Sequence, residues 1–216
     1  MTRPKANYEP KKEALAQIAL DLFVEHGYEN TTVTQIMHAS GLTKAGMYYY
    51  YVSKEEILDA AIDIALVRML AQNRAEMEGC AVEEKMLLFA RGAMEPEEML
   101  QKLLRVKESN HDSYAAYRIR ERSIHAYIPV MEEILREGAA QGVYQTDYPR
   151  QAAEFLVLLS RALTESNMLP NASSSQVALR VRAFLQLCEV WLHPSEAHLR
   201  AIADLFESEI VRLEGK

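Results

Sequence analysis

The sequence predicts an all-α protein in about nine or ten helices: an N-terminal three-helix domain built around a helix-turn-helix, residues 1–55, and a larger helical domain, residues 56–216. Three observations carry this prediction. Apolar residues recur at i, i+3 and i+4 through almost every stretch between turn signals. No alternation of β-branched residues persists anywhere. Glycines and prolines punctuate the chain at helix-length intervals, without an internal repeat or low-complexity tract.

Residues 1–8 are polar, basic and aperiodic, and are expected to form a mobile arm up to about Pro10. From Pro10, a favourable helix-starting residue, Ala14, Leu15, Ile18, Ala19, Leu22 and Phe23 form one apolar stripe that ends at His26-Gly27. The stretch TTVTQIMHASGLTKAGMYYYYVSK, residues 31–54, then reads as two short helices around a tight turn. Thr32 is placed to cap the first, with Val33, Ile36 and Met37 at helical spacing. Ala39 permits close helix approach, Gly41 supplies a positive φ, Leu42 fills the corner and Thr43 caps the second helix. At about 100° per residue, Met47 and Tyr50 fall on the packing side with Thr43, while Ala45, Tyr48 and Tyr49 fall on the other and Lys44 and Tyr51 at its edge. Ser53-Lys54-Glu55-Glu56 caps a further helix, which runs from Glu55 to about Met77 with Ile57, Leu58, Ala61, Ile62, Ala65, Leu66, Met69 and Leu70 on one face.

Beyond Gly79, helices are expected from Val82 to about Ala93, from Glu95 toward Val106, and from Ser113 to Gln141, where Pro129 should bend or split the pattern before Gly142 stops it. Tyr148-Pro149 opens a helix to about residue 166 that is apolar nearly all round, and Pro170 to Ser175 is the clearest loop. Two last helices follow, from about Gln176 to Leu192 and from Ser195 to Leu213, separated by His193-Pro194.

An apolar fraction of 49% is ordinary for a soluble globular protein. Two distant cysteines, Cys80 and Cys188, cannot make a disulfide framework and suit a reducing cytoplasm. No secretory signal is visible and no run approaches the ~18 apolar residues of a membrane span, so no membrane partner is expected. The net charge of -7 opposes nucleic acid at long range, but residues 1–54 carry +1 and the remainder -8. That asymmetry would orient the head toward phosphate, although a solvated acidic surface explains it equally well.

A helix with a lysine in its first turn and adjacent tyrosines midway suits the major groove of double-stranded DNA, and Lys54 beside a helix N-terminus suits a phosphate. The segment resembles the DNA-binding region of the TetR family of bacterial transcriptional regulators, in its Thr, small-residue helix, Gly-hydrophobe-Thr-Lys, aromatic pair and Ser-Lys-Glu-Glu. The resemblance implies a DNA-facing set of Thr32, Thr34, Thr43, Lys44, Ala45, Gly46, Tyr48, Tyr49 and Lys54. Thr32, Tyr48, Tyr49 and Lys54 would hold phosphates, and Thr34 and residues 44–46 would lie against base edges. Two positions depart from the family: Gly46 replaces a small hydroxyl residue, and Tyr51 replaces Phe, so its hydroxyl needs a partner if buried.

The resemblance further implies a homodimer formed by two late helices, with Phe155, Leu159, Leu163, Phe184, Leu187 and Trp191 as anchors or, alternatively, as subunit core. A small-molecule effector of unknown identity would bind among Met69, Met86, Phe89, Tyr114, Tyr117, Arg118 and His125, between the linker helix and the helix at 113–141. Arg118, Arg120 and Arg122 would take an anionic group or form a solvated face with Glu121.

Catalysis is disfavoured. A di-iron bundle needs Glu-x-x-His on two helices, and Glu108 to His111 alone has that spacing; His193 and His198 are separated by Pro194. No phosphate loop, nucleophile elbow or HExxH pattern occurs, so no catalytic residue, metal or cofactor is assigned. A helical ligand-binding module without DNA affinity is the other alternative, favoured by Gly46 and the modest basic charge. The reading adopted is an effector-released repressor that binds a palindromic operator as a dimer.

Overall fold

The computed structural model describes residues 7–94, 100, 114–164 and 173–214. Among the described residues the regular elements are nine helices and no strand: α1 (Tyr8–His26), α2 (Val33–Ser40), α3 (Lys44–Tyr50), α4 (Lys54–Met77), α5 (Val82–Met94), α6 (Tyr114–Ala140), α7 (Pro149–Thr164), α8 (Ser174–Leu192) and α9 (Glu196–Glu214). The helix expected from Glu95 toward Val106, apart from Leu100, and most of the loop from Pro170 lie outside the described residues.

Two compact units emerge. One comprises residues 1–71 with 97–123, the other residues 72–96 with 124–216. Two of the three dividing lines, at 71/72 and 123/124, fall inside helices, α4 and α6.

In the first unit α1 begins at Tyr8, so Pro10 sits in its first turn, where a missing N–H costs nothing. Leu20 and Phe23 of α1, Ile36 of α2, Met47 of α3 and Leu58 and Ile62 of α4 are almost wholly buried. The α1–α2 connection is fixed by buried Thr31, whose hydroxyl donates to the Gly27 carbonyl at 2.8 Å. Across the same unit α6 is clamped to α4 by two arginine forks. Arg118 Nε and Nη2 donate to Asp59 at 2.7 and 2.5 Å, and Arg122 Nε donates to Asp63 at 2.6 Å, with a second contact from its Nη2. The common four-residue spacing of 59/63 and 118/122 puts each pair on one helix face.

In the second unit α8 packs against α7 and α9, and α9 also against α5. Ser173 caps α8 in a reciprocal box with Gln176, and His193, at φ 49°, ends it before Pro194. Pro129 does not split α6, which continues unbroken from Tyr114 to Ala140. Its own side chain is exposed while Tyr127, Ile128, Val130 and Met131 around it are buried, so packing holds the helix through the one missing backbone donor.

Candidate nucleic-acid interface and effector cavity

The helix-turn-helix is built by local chemistry. Thr32 adopts extended backbone, accepts from Gln35 N–H at 3.2 Å, and its own N–H donates to the Gln35 side chain at 2.7 Å, completing a capping box. Gly41 closes α2 in the left-handed region at φ 67°, and Leu42 N–H donates to the Met37 carbonyl at 3.1 Å. Two residues later Thr43 caps α3 by accepting from Gly46 N–H at 3.2 Å. Three residues thus turn the chain from one helix into the next.

Helix α3 buries Met47 and exposes Lys44, Ala45, Tyr48 and Tyr49, the last two at 46% and 66%. Thr32, Thr34 and Thr43 are exposed as well, and Gly46 is partly so. Two adjacent exposed tyrosines beside an exposed lysine make this face a candidate contact surface. Gly46 has helical backbone and room for a side chain, since a Cβ would meet Thr43 Oγ1 at 3.4 Å and Leu42 Cδ2 at 3.6 Å. Lys54, in the first turn of α4, lays its ammonium 4.0 Å over the Tyr28 ring, and burial lowers its pKa from the ordinary lysine value.

Two tyrosines define this surface in ways the sequence pattern did not show. Tyr51 is no edge residue of α3: it ends that helix, is buried, and donates its hydroxyl to the Lys12 carbonyl at 2.8 Å. The departure from Phe therefore brings its own partner. Tyr8 stacks on Tyr50 at 5.2 Å and meets Tyr49 edge-on at 5.4 Å, supporting the exposed Tyr49 from α1. Its place in a polar, aperiodic arm concealed that role.

A family model for bacterial regulatory proteins of the tetR family matches residues 15–61, the whole of this surface except the arm. The likeness of sequence to TetR-family regulators is a likeness of this head. Over 71 residues it is 35% identical to the HTH-type transcriptional regulator RutR of Escherichia coli, covering 33% of this chain and 34% of RutR. Over 52 residues it is 36% identical to the biofilm operon negative transcriptional regulator IcaR of Staphylococcus epidermidis, covering 24% of this chain and 28% of IcaR. The chain thus spans about a third of the length of these curated relatives. The fold extends further than the sequence likeness: the structure of RolR in complex with resorcinol matches 93% of this chain and 96% of its own at TM-score 0.60 and 16% identity.

Within the second unit α5 to α9 and the α6–α7 connection enclose a cavity of about 80 Å³. Two of the effector candidates, Met86 and Phe89, line it, with Tyr127, Met131, Tyr144, Leu156, Phe184, Cys188, His198 and Phe206 among the other walls. The remaining effector candidates lie elsewhere. Met69 is core of the first unit, Tyr114 and Tyr117 are 42% and 54% exposed, Arg118 is held by Asp59 and Glu121, and His125 is exposed. Nor is Arg122 open to an anion, being forked onto Asp63. The missed walls come from α6, the α6–α7 connection and α7 to α9, all remote in sequence from α5.

The six interface candidates divide. Leu163 and Phe184 are buried in their own subunit, Phe184 edge-on to Phe206 at 5.7 Å. Phe155, Leu159 and Leu187 are 40–55% exposed, and the partly exposed Trp191 lies 5.7 Å from Phe155. Leu158, Leu179 and Val190 extend the exposed apolar surface of α7 and α8. Among the described residues no group of three His, Cys, Asp or Glu is arranged for a metal, and no helix is long and apolar enough to cross a membrane.

Proposed function

We propose that this chain is a ligand-responsive transcriptional regulator, a repressor rather than a catalyst, which binds a palindromic operator in the cytoplasm as a homodimer and is released by a small molecule. One observation carries the reading: a doubly capped helix, Gly41 turn and helix presents Lys44, Tyr48 and Tyr49 outward within the segment that matches the family. Residues 44–46 read base edges, while Thr32, Tyr48, Tyr49 and Lys54 hold phosphates. The division of labour follows residues 1–55 and 56–216, DNA in the first and effector and partner in the second. The exposed apolar side chains of α7 and α8 support dimerisation through those helices, where Phe155, Leu159, Leu187 and Trp191 would be anchors.

The negative regulation in the name of IcaR and the bound resorcinol in the RolR structure support repression and a small-molecule signal. Two recognition helices fit one face of DNA only when separated by about one turn, roughly 34 to 36 Å, or a multiple of it. Effector that favours another spacing weakens operator binding by linkage, typically by about 1–3 kcal/mol. The test is selection of randomised duplexes by the purified protein at two salt concentrations, with Tyr48→Ala alongside. A palindromic motif that weakens with salt and is lost in the variant is expected. No motif from folded, dimeric protein would reject DNA recognition and leave a ligand-binding module.

A further inference from the structure

The walls of the cavity specify more than a generic effector, and the inference here rests on reading that cavity as the effector site. Most of its lining is hydrocarbon, aromatic or sulfur. Among the described residues the polar lining groups are Tyr144, Ser160, Arg161 and His198, and no carboxylate lines it. At about 80 Å³ it is far smaller than the roughly 300–1,000 Å³ pockets of drug-sized ligands, so an occupant of about one ring is indicated.

At the polar end the Tyr144 hydroxyl and His198 Nε2 share a 3.0 Å hydrogen bond, and both residues are almost fully buried. Burial holds the histidine pKa below and the tyrosine pKa above their ordinary values, so both groups are uncharged at neutral pH. Burial likewise pushes the Cys188 thiol up to about 12. This pair is positioned deliberately. A Cβ on Gly138 of α6 would overlap the Tyr144 ring, and the Gly138 carbonyl accepts from both Val143 N–H, at 2.8 Å, and Tyr144 N–H, at 3.2 Å. Only glycine at 138 lets the ring lie against the helix. From the other side Ser195 accepts from His198 N–H at 3.2 Å and donates to Glu83 at 2.8 Å.

We propose that the cavity takes a neutral single-ring molecule bearing a hydroxyl group, which the Tyr144–His198 pair recognises. A hydroxyl satisfies either arrangement of the pair. If Tyr144 donates to His198, its oxygen accepts from the ligand; if His198 donates to Tyr144, the phenolic O–H donates to the ligand. A cation finds no carboxylate among the described residues of the wall. The guanidinium of Arg161 lies over the Tyr127 ring, 5.3 Å from its centroid, so an anion is the competing class that the test must separate.

The test measures binding of phenol, toluene, benzoate and benzylammonium to the full chain at pH 7 by calorimetry. Phenol should bind tightest, toluene about fivefold to tenfold more weakly for want of one neutral hydrogen bond, and both ions at least tenfold more weakly. Tyr144→Phe, which keeps the ring on Gly138, should lower phenol to the level of toluene and leave toluene unchanged. Benzoate tighter than phenol would overturn the proposal in favour of Arg161. Equal affinity for phenol and toluene in the unmodified protein, or no binding of any probe at millimolar concentration, would overturn it without reference to the variant. Phenol that binds as expected yet does not release selected duplex DNA would sustain the ligand class and reject the effector reading.

Discussion

Tyrosine does opposite work in the two units. In the head Tyr48 and Tyr49 stand 46% and 66% exposed, with Tyr8 packed against Tyr49, whereas in the second unit Tyr127 and Tyr144 are each 2% exposed and line a cavity. The difference teaches that residue type alone does not announce a surface. In the head a seven-residue helix with a Thr cap and a Gly turn leaves its aromatic side chains no core to enter. In the second unit, helices of 13 to 27 residues enclose theirs from several sides.

The largest effect expected on this contrast is loss of the platform that holds the head tyrosines out. Phe23 is wholly buried and meets Tyr28 edge-on at 5.5 Å. Phe23→Ala should cost about 3–5 kcal/mol by denaturant unfolding, and DNA binding should fall with the folded fraction. Unchanged stability would show that the head core is not organised around α1.

Next come the two lysines of the head, which differ in setting. Lys44 is exposed at the start of α3, while Lys54 shares its ammonium with the Tyr28 ring. Lys54→Ala should weaken binding about equally on all sequences and lower the salt slope by about one unit, while Lys44→Ala should cost about 1–3 kcal/mol on the preferred motif and relax preference at particular base pairs. If both variants kept the selected motif intact, Lys44 would be a phosphate contact instead.

How far the sequence reveals each region follows from the same contrast. The caps at Thr32 and Thr43, the positive φ of Gly41 and the burial of Met47 are decided within a few residues, so a short window contains them. The helix succession of the second unit is equally local. The cavity is not: Met86, Met131, Leu156, Phe184 and Phe206 meet only through packing of α5 to α9, and no single-helix periodicity tells which apolar residue faces a void. Arg118 and Arg122 were open to two readings for a related reason, because Asp59 and Asp63 lie 59 residues away in each case.

That clamp offers a sharper comparison with a surface pair. Arg118 and Asp59 are 19% and 24% exposed, and bonding to Asp59 raises the arginine pKa further; Arg200 and Glu196 are 75% and 81% exposed. Asp59→Asn should destabilise by about 1–2 kcal/mol, since it removes the forked partner of a partly desolvated guanidinium and leaves it Glu121 alone, while Glu196→Gln should cost no more than about 0.5 kcal/mol. Equal costs in thermal unfolding would mean that the clamp is only a solvated contact.

Gly46→Ala should move stability the other way, by about 0.5–1 kcal/mol, because the backbone there is helical and the added methyl meets only ordinary contacts. In the selection experiment the same methyl should alter base preference without changing the salt slope. A change in salt slope would place residue 46 against the phosphates.

The smallest expected effect is in the shape of a pH curve, and it tests whether the buried polar pair is neutral. His198 is depressed below its ordinary value of 6.5, chiefly by burial, with Glu83 opposing. As pH falls below 6.5 the unfolded chain binds a proton at this position before the folded chain does, so stability declines with acidification until the folded value is reached. Above 6.5 the group contributes no slope. One proton sets an upper limit of about 1.4 kcal/mol per pH unit. His198→Asn should therefore be less stable at pH 7, for loss of packing, yet show a flatter curve as pH falls below 6.5. Parallel curves would mean that His198 takes its proton in the folded state, with Glu83 prevailing over burial, and the polar end of the cavity would then be cationic in that range.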